Sequence, residues 1–361
     1  MAIGFGIIGL GMISNFHARA VQDLSGAKLI AGYSRSAEKA AAFAEKHGCQ
    51  PYDDLQAMLA DPRVQVVTVC TPSGAHLEPA IAAIRAGKHV IVEKPLEITL
   101  KRCDQIIREA EKAQVMVSTT FPSRFHESSQ LMKQAVEKQR FGRITLADAY
   151  VKWFRTQQYY DSGAWRGTWN LDGGGALMNQ AIHSVDLLLW LMGPVVEVTA
   201  HTAMLAHEKI EVEDVAVATV KFASGALGVI EASTAAFPGE LKRIEISGSH
   251  GTAVLREEDI ITWKFAKQTK ADEALLARMS GQTKTGGGAA DPAAIGHHGH
   301  LKQFKNVLDA ITKGKPLLID GPEGRRSVEL ILAIYQSAAS GKAVKLPLAT
   351  DPPIIKQRNK S

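Results

Sequence analysis

The stretch IVEKPL at 91–96 ends an apolar run in a glutamate, a lysine and a proline. A lysine at the mouth of a buried strand is either a solvated exit residue or a group that trades protons. Partial desolvation lowers a lysine pKa, and a lysine so tuned can exchange a proton with a substrate hydroxyl. A second set of chemically capable residues lies in DGGGALMNQAIHSVDL at 172–187. Asn179, His183 and Asp186 are spaced i, i+4, i+7 and so share one helix face, while Leu177, Ile182, Val185, Leu188, Leu189 and Leu191 fill the other. A polar stripe on an apolar helix needs partners. His183 could be the acid/base partner of Lys94, with Asp186 orienting its ring. A zinc site on the same face is a rival without a third ligand of matching spacing, and a hydrogen-bonded core histidine is another. Just upstream, WFRTQQYYDSGAWRG at 153–167 gathers Trp153, Tyr159, Tyr160 and Trp165 with Arg155 and Arg166. Sugar rings favour aromatic platforms with several polar donors. Plain strand-and-loop packing is the competing account.

These residues need a frame. Short apolar strands alternate with helices through the first 120 residues: Ile3–Ile8, Lys28–Tyr33, Gln50–Tyr52, Val64–Cys70, His89–Val92 and Val115–Thr119. That rhythm predicts βαβ units, a parallel sheet and a doubly wound dinucleotide-binding fold. Gly9-Leu10-Gly11-Met12-Ile13-Ser14 follows the first strand and opens a helix. The first glycine permits the tight turn and the second lets backbone approach a pyrophosphate, which then sits at the helix N-terminus with Met12 and Ile13. The second strand ends in Tyr33-Ser34-Arg35-Ser36, with no carboxylate to hold ribose hydroxyls. Ser34 and Arg35 can bind a 2′-phosphate, which leans the reading to NADP over NAD. Ligands of such sheets bind beyond the carboxyl ends of the strands. Lys94 and Glu93 stand there, as do Thr71, Pro72 and His76, which could line a nicotinamide pocket. A positive nicotinamide ring would lower the Lys94 pKa further, and a cis Lys94–Pro95 bond is plausible.

After about Phe121 the rhythm changes. Long alternating stretches at 143–155, 195–205, 214–222, 226–235 and 243–247, with a Ser224-Gly225 turn, predict a mostly antiparallel sheet. Helices over 175–191, 300–313 and 323–340 flank it. The boundary expected is residues 1–121 for the dinucleotide domain and 122–361 for substrate binding and self-association. Residues 268–296, with few periodic positions, read as a mobile loop near the site or at an interface.

Composition narrows the class. Of 361 residues 45% are hydrophobic and 22% charged, and the net charge of +5 is spread without blocks. Nucleic-acid binding gains little from that pattern. Three isolated cysteines suit a reducing cytoplasm. The longest apolar run is too short to span a bilayer, and no signal peptide is evident.

Together these motifs resemble the glucose-fructose oxidoreductase / inositol dehydrogenase / rhizopine-catabolism (Gfo/Idh/MocA) family, over nearly the whole chain. The resemblance rests on GLGMIS at 9–14, TPSGAH at 71–76, EKPL at 93–96, GGGALMNQAIHSVDLL at 173–188 and the ending at 314–347. It implies a Rossmann domain, an α/β domain whose open sheet forms a dimer or tetramer interface, and NAD(P)-dependent oxidation of a sugar or polyol hydroxyl or reduction of the ketone. Lys94 matches the lysine of the family's EKP motif and His183 its helix histidine. Asn179 stands where the family commonly has aspartate; asparagine cannot act as a base, which leaves proton transfer to Lys94 and His183. Asn179, Arg166 and Trp165 would position the ring. Two alternatives stay open: glycoside cleavage by transient oxidation on a tightly bound NAD, and a non-catalytic sugar or nucleotide sensor.

Overall fold

The computed structural model describes residues 2–281, 283, 288–289 and 296–353. It divides into two compact units, Met1–Pro122 with Gly296–Val328 and Ser123–Ile295 with Glu329–Ser361. The division at residue 121 is therefore incomplete, because 296–328 return to the first unit.

In the first unit six parallel strands stand in the order β3-β2-β1-β4-β5-β6. They are β1 (Ile3–Ile8), β2 (Ala27–Tyr33), β3 (Gln50–Tyr52), β4 (Val66–Val69), β5 (His89–Val92) and β6 (Val117–Thr119). The central strands β1, β4 and β5 are almost wholly buried because helices cover both faces of such a sheet, while β3 at the edge, Gln50-Pro51-Tyr52, has no buried residue. The helices are α1 (Met12–Gln22), α2 (Ala37–His47), α3 (Leu55–Ala60), α4 (Leu77–Arg85) and α5 (Leu100–Ala113). The returning segment explains the departure from a linear boundary. Its helix, His298–Lys313, lays Phe304, Val307 and Leu308 into the same core as Phe5, Val21, Leu24 and Leu29.

The second unit holds an eight-stranded sheet, mostly antiparallel. Its strands in chain order are β7 (Ile144–Lys152), β8 (Val195–Ala203), β9 (Val215–Phe222), β10 (Leu227–Ser233), β11 (Arg243–Gly248), β12 (Gly251–Arg256), β13 (Asp259–Phe265) and β14 (Val344–Lys345). Only β7 and β10 run parallel to one another. The expected Ser224-Gly225 turn joins β9 to β10, with Gly225 at φ 88°. Strict alternation in β9 buries one face, and Leu146, Val217 and Leu227 stand 49%, 43% and 55% exposed on the other. The helices of this part are α6 (Glu127–Glu137), α7 (Gln157–Asp161), α8 (Ile182–Met192) and α9 (Lys270–Met279), with α10 the returning helix and α11 running Gly321–Ser340. Helix α9 corrects the loop expected at 268–296. Thr269 and Asp272 form a capping box that starts it, and much of the remaining stretch lies outside the described residues. Among the described residues no helix is long and apolar enough to cross a membrane.

Candidate active site

The glycine loop makes the tight turn that its spacing predicts. Gly9 sits at φ 88°, and a Cβ there would lie 2.9 Å from the backbone of Cys70, so only glycine fits. Gly11 caps α1 with no side-chain hydrogen bond, and a Cβ on it would meet nothing within 4 Å. Gly11 and Met12 are exposed and Ile13 is half-buried. The first N–H groups of an 11-residue helix thus open onto free space, which fits a pyrophosphate. The N–H of Gly9 donates to Tyr33 O at 3.1 Å and fastens the loop to the end of β2. There Ser34 Oγ accepts from Ser36 N–H at 3.2 Å, and Arg35 is exposed.

On the same strand rim Lys94 is half-buried and joined to Pro95 by a cis bond. Thr71 and Pro72 are half-buried at the end of β4, where Thr71 Oγ1 donates to Ala75 O at 2.8 Å. Two neighbours differ from expectation. His76 is buried, its ring nitrogens 2.8 Å from Pro95 O and 2.9 Å from Thr71 O. It clamps the two loops together instead of lining a pocket, and burial lowers its pKa. Glu93 is also buried, and its oxygens are engaged by the protein: Oε1 lies 2.7 Å from His17 Nε2 and Oε2 accepts the Lys94 N–H at 3.2 Å.

In the second unit the glycine-rich segment leads into a π-helical turn, Ala176–Ala181, that passes directly into α8. π-turns recur at functional sites. From Asp172 to Leu189 every residue is buried except Asn179 and His183. The glycines permit this. A Cβ on Gly175 would lie 1.8 Å from Glu213 O, and one on Gly174 would lie 2.1 Å from the Tyr335 hydroxyl. Glu213 caps the turn by accepting the N–H groups of Gly175 (3.0 Å) and Leu177 (2.9 Å) and the Tyr335 hydroxyl (2.9 Å). Burial pushes its carboxyl up to about 7, against those hydrogen bonds. The Asn179 amide donates to Asp172 Oδ1, and Asp172 Oδ2 accepts the Gly167 N–H at 2.9 Å.

Asp186 corrects the expected stripe. It is buried, and its two oxygens accept Arg124 Nε at 2.8 Å and Nη2 at 2.7 Å, so it offers no open face to a substrate. Tyr160 is likewise a core residue, packed with Trp169, Ile210 and Val212 and hydrogen-bonded to Thr234 Oγ1 at 2.8 Å. Arg155 is an internal brace that donates to Gly288 O (2.8 Å), Ala289 O (3.0 Å) and Gln180 Oε1 (2.9 Å). Arg166 and Trp165 remain half-exposed. The Arg166 guanidinium lies 4.2 Å from the Tyr159 ring centroid and 4.5 Å from that of Trp165, and donates to Tyr159 Oη at 2.7 Å. Gln180 Nε2 donates to the same hydroxyl at 3.0 Å. Gln180 and Asp172 hold these candidate residues and were not singled out in the sequence, whereas Tyr159 was named there within the aromatic cluster.

Sequence reasoning also missed His17 and His300. With Glu93 they form a buried set of three potential metal ligands, their donor atoms within 4.8 Å of one another. The 2.7 Å contact between His17 and Glu93 is a hydrogen bond. Two ligands of one tetrahedral zinc stand ~3.3 Å apart for bonds of ~2.0–2.1 Å, so the set is arranged for a shared proton.

Two family models cover most of the chain: the NAD-binding Rossmann fold of the oxidoreductase family matches residues 3–121, and the GFO/IDH/MocA C-terminal domain matches 129–254. The chain belongs to the GFO/IDH/MocA oxidoreductase family. It is 30% identical over 356 residues to a myo-inositol 2-dehydrogenase of Thermotoga maritima, covering 94% of this chain and 98% of the relative. It is 28% identical to the D-glucoside 3-dehydrogenase of Escherichia coli, over 94% of this chain and 96% of that one. Among solved structures it resembles the WlbA dehydrogenase of Chromobacterium violaceum in complex with NADH and UDP-GlcNAcA. That match has a TM-score of 0.85 and 35% identity and covers 96% of each chain.

Proposed function

We propose that this protein is an NAD(H)-dependent dehydrogenase that transfers hydride between nicotinamide and a hydroxyl-bearing carbon of a sugar, sugar derivative or polyol. The observation that carries the reading is Lys94, half-buried on the strand rim that also bears the open glycine loop. Lys94 takes up the hydroxyl proton as hydride leaves the carbon, and His183 assists. Asn179, held by Asp172, and the Arg166–Trp165–Tyr159 cluster contact the substrate ring and its polar groups. The relatives act on inositol and glucosides, which supports this reading over glycoside cleavage or sensing. NADH in the WlbA complex favours NAD, and the lean to NADP at Ser34 and Arg35 gains nothing from it. The exposed sheet face around Leu227 supports a homodimer or homotetramer, and three free cysteines support a reducing, cytoplasmic setting.

The test is to denature purified protein and identify any released nicotinamide nucleotide. Reduced-nicotinamide absorbance is then followed with sugars, sugar acids, inositols and glycosides, using NAD and NADP in parallel. Turnover with NAD is expected. Lys94→Met should lower kcat by ~10²–10⁴-fold, while NAD still raises the melting temperature. Full activity in that variant would remove Lys94 from the reaction, and glycoside cleavage without net cofactor reduction would overturn the dehydrogenase reading.

A further inference from the structure

A run of buried ionisable groups lies behind Lys94, used by neither the dinucleotide loop nor the substrate residues. His17, on α1, has no solvent exposure. Its Nε2 is 2.7 Å from Glu93 Oε1 and its Nδ1 is 3.3 Å from Cys70 Sγ at the end of β4. His300, on α10, places Nε2 3.9 Å from the same Glu93 oxygen, with its ring 5.3 Å from that of His17. The second oxygen of Glu93 holds the Lys94 N–H. An unpaired carboxylate in such a core is strongly disfavoured, and a close imidazolium is what makes its charge tolerable. Burial opposes both charges; the bond to His17 holds Glu93 down to about 2, and Cys70 first, then Glu93, lifts His17 to about 10. Burial and the neighbouring His17 charge press His300 down to about 4, so it stays neutral.

We propose that the His17–Glu93 pair is a positioning device for Lys94. It ties the phosphate-binding helix to the lysine's own backbone and cancels the charge of the carboxylate beside that lysine, which sets the pH at which the lysine works. The idea rests on the reading of Lys94 given above. The groups facing Glu93 are His17 from α1, Cys70 from β4, His76 ahead of α4, His300 from α10 and Lys94 itself. His76 and His300 both have depressed pKa values, and Lys94 acts on Glu93 more weakly than His17 does, so His17 is the chief counter-charge.

The sign of the effect separates this role from mere packing. His17→Gln leaves a bare carboxylate near Lys94, which stabilises the lysine's cation. The acidic limb of the kcat/KM–pH profile should then move up by on the order of one pH unit. Glu93→Gln removes the negative charge and should move the limb down. The double variant removes both charges and should return the limb towards the wild-type position. Unmoved limbs with only a lower melting temperature would overturn the proposal, as would shifts of one sign in both single variants. Lys94→Met separates the two ideas: if it retains activity, both fall; if it loses activity while the limbs stay put, only the positioning role falls. Should the His17 variants not fold, ring-nitrogen chemical shifts of His17 in the wild-type protein still decide. An imidazolium at neutral pH is expected, and a neutral ring would overturn the proposal.

Discussion

Asn179 is half-buried, yet its amide is tied to the buried carboxylate of Asp172. Replacing it by aspartate would set two carboxylates side by side, and one of them would then hold its proton well above the usual range. A carboxyl with a raised folded-state pKa binds more protons folded than unfolded, so its contribution to stability falls as pH rises. Asn179→Asp should therefore match the wild type most nearly near pH ~5 and lose melting temperature progressively towards pH ~8; parallel melting curves across that range would contradict the pairing. Lys94, Asn179 and His183 each interrupt an apolar pattern, and each is half-buried in the structure. Tyr160, Asp186, His76 and Glu93 interrupt such patterns too, and were misread. Their partners, Thr234, Arg124, Pro95 and His17, lie far away in the chain, and a polar group satisfied by a distant partner looks the same in sequence as one left open.

The turn that presents Asn179 and His183 depends on one carboxylate. Glu213 is fully buried, with a carboxyl raised from 4.5 to about 7 chiefly by desolvation. Between those values the folded protein holds a proton that the unfolded chain has released, so this group's contribution weakens as pH rises from 4.5 to about 7 and is constant above. Glu213→Gln should flatten that part of the melting-temperature profile while lowering stability overall, because its amide cannot accept every N–H that the carboxylate does. Circular dichroism melts across the interval would show it. Gly175→Ala, whose Cβ would fall 1.8 Å from Glu213 O, should cost more than about 4 kcal/mol or fail to fold, read by urea unfolding. The alternation of β7 to β11 announced the sheet, since one buried and one open face impose period two. Strands β12 and β13 escaped notice because their buried residues run together instead of alternating: Ala253, Val254 and Leu255 are all buried, as are Asp259 and Ile260. The π-turn has no sequence signature at all; it follows from how closely the glycines approach Glu213 and Tyr335.

The open sheet face sets Leu146 opposite Leu227 in the β7–β10 register, with Lys221 opposite Leu227 on β9. Leu227→Asp should drive the protein towards monomer in light scattering after size exclusion, with secondary structure intact; an unchanged mass would place self-association elsewhere. The dinucleotide unit was readable as a fold and misjudged as a segment. Its strands and helices carry local periodicity, but no local pattern says that α10 covers Phe5 and Leu24. This arrangement bears on synthesis. The ribosome releases β1 to β6 well before α10 has been translated, so the nascent sheet waits with an apolar flank uncovered while Ser123–Ile295, most of the second unit, emerges. Such an interval favours holding by chaperones and exposes the chain to aggregation. A fragment ending at residue 121 should be insoluble, whereas the same fragment supplied with residues 296–328 should fold around them.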